Sequence, residues 1–221
     1  MKAEQIPIIV ISVIVVLISL TFHEAAHAAA AAALGDPTAR KQGRLSINPL
    51  VHIDIFGTIV LPILLAIMNL GVFGYAKPVP VDPSNLKHLR RDDALISAAG
   101  PGANCALAIV SALSIRFMMI INAPHEAASF IITILFLMIR INIFLMLFNL
   151  LPIPPLDGSG ILHGVMSPRL YATYVNASRR LMLVFLFILL LTNWFSTFYL
   201  RPVGNVFFLI LEHVAGIQLV W

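Results

Sequence analysis

Charge is what this sequence has least of. Fourteen Lys+Arg and ten Asp+Glu amount to 11% of its 221 residues, where a soluble domain uses about a quarter to cover its surface. An ordinary water-soluble globule is thereby excluded. Cysteine is almost absent too: the single Cys105 lies inside an apolar run, so an internal disulfide, a Cys-rich zinc site and a c-type haem motif are ruled out. No internal repeat or low-complexity tract is found. The net charge of +4 sits between apolar runs, where the inner leaflet explains it better than nucleic acid does. No nucleic-acid partner is expected. The first apolar run lacks a small-residue cleavage pattern, so no cleavable signal is expected.

What the chain has instead is apolar length. Sixty per cent of it is hydrophobic, the mean hydropathy is +0.96, and the apolar residues fall into uncharged runs near the ~20 residues that cross a bilayer. Six segments stand out: Ile6 to Leu34, Ile55 to Ala76, Ala94 to Ile121, Ala127 to Leu150, Leu181 to Leu200, and Pro202 to Trp221. The last is interrupted by Glu212 and His213 and either spans or lies in the interface. The expectation is an all-α polytopic membrane protein of five or six transmembrane helices. The polar stretches Gly35 to Asp54, Lys77 to Asp93 and Leu151 to Arg180 are each too short for a separate domain. Residues 1–221 therefore read as one unit, with a core over about 6–160 and accessory helices over about 178–221.

Within Gly35 to Asp54, Gly35-Asp36-Pro37 is a helix stop and Asn48-Pro49 a turn signal. Between them the alternation Arg44-Leu45-Ser46-Ile47 predicts a short membrane-associated strand or hairpin. Lys77 to Pro83 must be extended, because its prolines remove backbone donors and bias their predecessors away from helix.

The chemistry begins at His23-Glu24-Ala25-Ala26-His27, which follows 17 uncharged residues. On a helix the two histidines lie about 40° apart on one face, close enough to share one metal ion. Zinc hydrolysis asks for neutral imidazoles, a coordination position left for water, and a carboxylate that takes a proton without ligating. Two histidines and a glutamate at membrane depth mark a functional site by default. A third ligand must come from another segment, the candidates being Asp54, His52, Asp157, His163 and Glu212. Asp157 is preferred, because Pro152, Pro154 and Pro155 break a membrane helix just before it, and broken helices at that depth line polar cavities.

His23-Glu24-Ala25-Ala26-His27 together with Asn149 to Gly158, which fits N-x-x-P-x-P-x-L-D-G, resembles the site-2 protease family of intramembrane zinc metalloproteases. Gly100-Pro101-Gly102-Ala103-Asn104 resembles that family's small-residue segment between the two motifs. Gly43 to His52 and Gly74 to Val81 are similar to its short, compact subgroup, which lacks a PDZ or CBS domain. The resemblance covers roughly Phe22 to Gly158. It implies one zinc per chain held by His23, His27 and Asp157, Glu24 as general base, and Asn104 and Asn149 as contacts to substrate backbone. It further implies substrates that are transmembrane proteins or peptides.

Topology follows from requiring the two motifs to meet. His23 lies about 26 Å along a helix that starts at Ile6, near the end opposite the N-terminus, whereas simple threading of all segments puts Asp157 on the N-terminal side. One segment must fail to cross, and Ile55 to Ala76, interrupted by Pro62, Asn69, Gly71 and Gly74, is the expected re-entrant one. Ten basic residues then share the active-site face, with Lys2, Arg116 and Arg201 opposite and Arg140 in the bilayer. By the positive-inside rule that face is cytoplasmic, in an expected prokaryotic cell membrane. A membrane metal or proton transporter built on the same His, Glu and Asp is the rival expectation.

Overall fold

A computed structural model describes residues 6–67, 74–122, 124–178 and 201–217. The described residues are helical or irregular, with no strand among them. Among the described residues, three helices are long and apolar enough to cross a membrane: α1 (Ile6–Ala33), α4 (Leu89–Ile120), and α5 (His125–Asn149), the last over Ala128–Asn149. Shorter helices complete the order: α2 (Thr38–Lys41), α3 (Leu61–Ile67), α6 (Asp157–Val165), α7 (residues 168–178) and α8 (Arg201–His213). The expected span Leu181 to Leu200 lies outside the described residues, as does the end of Pro202 to Trp221.

Each long helix buries one stripe. On α1 the buried positions include Ser12, Val16, Ser19, Leu20, His23, His27 and Ala31, the spacing of a single face. On α4 the matching stripe is Ile96, Gly100, Asn104, Ala108, Ser111, Ala112 and Ile115. Its small residues let helix backbones approach, as helices in a bilayer require for van der Waals packing. Ala108, Ala112 and Ile115 meet Ile139 and Ile143 of α5 and Val203 and Leu211 of α8 in the largest apolar cluster. Helix α4 begins five residues before the apolar run that announced it, at Leu89 rather than Ala94. Arg90, Arg91, Asp92 and Asp93 bound the bilayer-compatible stretch without ending the helix, and buried Asp92 takes the His88 N–H at its start.

Helix α1 stops where Gly35 adopts φ +108°. The Asp36 N–H reaches back to the Ala31 carbonyl and the Gly35 N–H to that of Ala32, a C-terminal cap that a side chain at position 35 would strain. No strand or hairpin follows over residues 35–54. The backbone there is instead satisfied by α2, by a 3-10 turn at Pro49–Val51 capped by Asn48, and by side chains. Buried Arg44 donates to the carbonyls of Val51, Lys77 and Pro78. A buried guanidinium thus takes the place of a partner strand, which the Arg44 to Ile47 alternation could not reveal.

The segment beginning at Ile55 turns back. Its π-helical first turn, Ile55–Val60, is capped by Asp54 and runs into α3. The chain then reappears beside its own start: Tyr75 N–H donates to the Gly57 carbonyl, the Thr58 hydroxyl to the Tyr75 carbonyl, and Lys77 N–H to the His52 carbonyl. Ala76 packs on Val16 and Leu20 of α1 and Leu145 of α5. As expected for Lys77 to Pro83, residues 77–82 carry no helix and run past α1, but Pro83 itself opens a 3-10 turn, Pro83–Asn85.

After α5 ends at Asn149, the proline-broken stretch 150–156 doubles back so closely that a Cβ on Gly158 would lie 2.3 Å from the Leu150 carbonyl oxygen. Helix α6 then crosses α4 in near contact. A Cβ on Gly160 would meet Ser97 Oγ at 2.0 Å, and one on Gly164 would meet Ala94 Cβ at 2.8 Å. These glycines bring Asp157, the first residue of α6, onto the face of α4 that also meets α1.

Candidate metal centre

His23 and His27 project from one buried face of α1, and Asp157 arrives from the start of α6. His23 Nε2 lies 3.0 Å from His27 Nε2 and 3.2 Å from Asp157 Oδ2, and His27 Nε2 lies 3.4 Å from Asp157 Oδ1. One donor atom from each of the three residues fits within 4.8 Å of the others. Of the five candidates for the third position, only Asp157 joins the histidines among the described residues. His52 bonds the Ser46 carbonyl, Asp54 caps the π-helical turn, His163 pairs with Asp93 at 2.7 Å, and Glu212 is exposed on α8.

The protonation pattern fits a cation. His27 Nδ1 lies 2.7 Å from the Ile96 carbonyl oxygen, which only accepts, so Nδ1 carries the ring proton and Nε2 presents a lone pair. Helix α4 offers that oxygen next to Ser97, whose carbonyl loses its ladder partner because Pro101 has no N–H. His23 Nδ1 lies 2.6 Å from Asn104 Oδ1, and with the amide in that orientation its own Nε2 is bare as well. Two lone pairs and a carboxylate converging on one place repel one another unless positive charge lies between them. Asp157 Oδ2 is buried without a hydrogen bond, and a Cβ on Gly100 would sit 2.4 Å from His27 Nε2 and 2.6 Å from His23 Cε1. Glycine at 100 therefore keeps open the side of the cluster that faces α4. Two imidazoles and one carboxylate suit zinc and, at four-coordination, leave one position for water.

Glu24, one step along α1, is buried and turns toward the returning segment, where its Oε2 accepts the Val79 N–H at 3.0 Å. Arg44 and His52 hold that segment at Lys77 and Pro78, so they also place Val79. Asn149 donates its amide to the Leu145 carbonyl and is half-buried at the end of α5. Asn104 is fully buried, with its oxygen on His23 and its nitrogen on Asn142 Oδ1 at 2.8 Å. The Asn142 amide in turn donates to Ser19 Oγ at 2.9 Å and to the Met138 carbonyl at 2.8 Å. Sequence reasoning missed Asn142. Its one signal was an amide in the middle of an apolar span, where an unbonded polar group is expensive.

An open apolar groove of about 580 Å³ runs along the neighbouring face of α1, between Phe22, Ala25, Ala26, Leu45, Ile47 and Ala103.

Comparison with known proteins places relatives beside this geometry. The profile of Peptidase family M50 matches residues 115–191, a stretch that contains Asn149 to Gly158. The candidate zinc metalloprotease YwhC of Bacillus subtilis (strain 168) is 39% identical over 176 residues, covering 79% of this chain and 77% of that protein. The candidate zinc metalloprotease Rip2 of Mycolicibacterium smegmatis is 31% identical over 188 residues, covering 81% of this chain and 67% of Rip2. Rip2 of Mycobacterium tuberculosis is 31% identical over 184 residues, with the same two shares covered. No solved structure matches the chain.

Proposed function

The chain belongs to peptidase family M50, the site-2 proteases, and is an intramembrane zinc metalloprotease; from that premise we propose that His23, His27 and Asp157 hold one zinc, with Glu24 as general base. The observation that carries this reading is the convergence of two bare imidazole nitrogens and an orphaned carboxylate oxygen at one buried point. Zinc held there supplies a positive centre that acidifies water and polarises a carbonyl. The chain's own residues do the rest. Glu24 has one carboxylate oxygen engaged by the Val79 N–H, and its other oxygen is the proton acceptor for the attacking water. Val79 thereby sets the direction of that oxygen. The burial of all three ionisable α1 side chains limits bulk water at the site, so charges there are screened less than at the surface.

The substrate is a transmembrane protein or peptide that must unwind locally, because a helical peptide bond is enclosed by its own hydrogen bonds. The groove between Phe22, Ala26 and Ile47 is the apolar surface beside the site on which such a segment can lie. Asn149 is retained as a contact to substrate backbone, while Asn104, with both amide ends engaged inside the protein, is assigned to His23 instead. The segment from Ile55 to Ala76 is re-entrant, and the active site lies near the cytoplasmic face of a prokaryotic cell membrane. Nothing in the fold or the relatives favours a transporter.

The deciding experiment compares wild type with Glu24→Gln in detergent, reading zinc content and cleavage of a model transmembrane substrate. Glutamine leaves the helix and both imidazoles in place but takes no proton, so zinc stays near one per chain and cleavage falls by at least about 100-fold. Zinc-loaded Glu24→Gln with wild-type turnover would remove Glu24 from the mechanism.

A further inference from the structure

Resting on the assignment of His23 as a zinc ligand, we propose that Asn142 is a positioning residue: through Asn104 it fixes the ring proton of His23 on Nδ1 and so keeps Nε2 bare for the metal. A histidine binds a cation only through a ring nitrogen without a proton, and which nitrogen that is depends on what the other one meets. For His27 the answer is direct, since the Ile96 carbonyl can only accept. For His23 it is not. Its Nδ1 meets a primary amide, which can offer either an oxygen or an NH2, and a neutral ring can answer either. Asn104 alone therefore leaves the tautomer open.

The ambiguity passes to Asn142, also an amide, and ends at Met138. The Met138 carbonyl lies 2.8 Å from Asn142 Nδ2 and can only accept. Asn142 must then turn its oxygen to Asn104, whose nitrogen lies 2.8 Å away. Asn104 must in turn show its oxygen to His23, and His23 must donate from Nδ1. The reverse orientation would set two carbonyl oxygens against each other beside Met138. Asn104, Asn142 and Ser19 are all at 0% exposure, so no water is at hand to relieve that contact. Ser19 takes the second Asn142 N–H, but a hydroxyl both donates and accepts and so sets no direction. Polarity thus runs from a backbone carbonyl of α5 through α4 to a side chain of α1. Both histidines end on a helix carbonyl, His27 at once and His23 at two removes.

Asn142→Leu keeps the branched shape and deletes the amide. Asn104 is then free to present its NH2 to His23, which moves the ring proton to Nε2. Two readouts apply: ring-nitrogen NMR of the metal-free protein with 15N-labelled histidine, His23 being assigned through His23→Ala, and zinc affinity by chelator competition. Wild type should carry the His23 proton on Nδ1. Asn142→Leu should carry it wholly or partly on Nε2 and bind zinc about 10–100-fold more weakly, the range for partners behind metal ligands. Adding Asn104→Asp to Asn142→Leu offers an oxygen in either orientation and should restore the Nδ1 proton and most of the affinity. A packing role for Asn142 would not be rescued in this way. Ser19→Ala leaves the Met138 carbonyl in place and should change neither readout.

A wild-type spectrum with the proton on Nε2, wild-type zinc affinity in Asn142→Leu, or failure of Asn104→Asp to rescue would each overturn the proposal. Should Asn142→Leu not fold, Asn142→Ser carries the same comparison and the wild-type spectrum still tests the tautomer. His23→Ala separates the two levels. Zinc retained without His23 refutes the ligand assignment, whereas zinc lost in His23→Ala but kept in Asn142→Leu refutes the relay alone.

Discussion

At the scale of the residue, the absence of an atom matters as much as any side chain. A Cβ at position 100 would stand 2.4 Å from the nitrogen that His27 presents to the metal. Gly100→Ala is therefore expected to leave the helix intact, since alanine is the better helix former by about 1 kcal/mol, while zinc content falls to less than about a tenth of wild type. Metal analysis alongside circular dichroism checks this, and a zinc-replete Gly100→Ala would mean that the ion sits elsewhere. Much of the candidate site was legible because its signals are local. Histidines four apart and three prolines before an aspartate declare themselves in short strings. Gly100 stood in a recognised motif, but its reason, the open space in front of the histidines, is three-dimensional. Asn142 gave only a lone amide in an apolar helix, with its partners on α1 and α4 far away in sequence.

At the scale of the element, the connections decide what the helices can do. The stretch after α1 is held by Asp36, whose carboxylate takes bonds from the backbone and hydroxyl of Thr38, the Asp82 N–H and the Asn85 amide. Burial pushes the Asp36 carboxyl up, but these donors, led by the Thr38 hydroxyl, outweigh it and hold the group below the ordinary carboxylate range. A folded value below the unfolded one means stability that is fully present above about pH 4 and lost as pH falls through the depressed value. Asp36→Ala should thus destabilise the protein by about 1.5–3 kcal/mol at neutral pH. Its gap from wild type should narrow as pH falls below about 4 toward the depressed value, as thermal unfolding in detergent would report. A gap that does not narrow at all on acidification would mean that the ionised carboxylate is not what the loop recognises. The missing strand belongs at this scale as well. Residues 44–47 alternate as a strand would, yet strand formation needs a neighbour, and buried Arg44 meets the backbone carbonyls of Val51, Lys77 and Pro78 instead.

At the scale of the whole molecule, the proposed return of one apolar segment to its starting side is what would let the two motifs meet at one face. Among the described residues three helices are long and apolar enough to cross a membrane, and bonds between Gly57 and Tyr75 and between His52 and Lys77 join the two ends of the segment proposed not to cross. Single cysteines at Gln42 and Lys87 in a Cys105→Ala background should therefore behave alike toward a membrane-impermeant thiol reagent. Both should stay unlabelled in intact cells and react once the membrane is opened, while a cysteine at Ile121 should react at once. Labelling at Lys87 alone would mean that the segment crosses. Charge patterning is the argument the sequence offers for this proposed topology, because returning the segment gathers the basic residues on one face. The central claim is that this fold brings Asp157 to two histidines from the far end of the chain's helical path to hold one zinc. Zinc counted per chain in purified wild type and Asp157→Ala tests it most directly. The account predicts close to one zinc in wild type and a loss of at least about 90% in the variant at equal metal exposure, because a site of two imidazoles lacks its third ligand. Undiminished zinc in Asp157→Ala would contradict it.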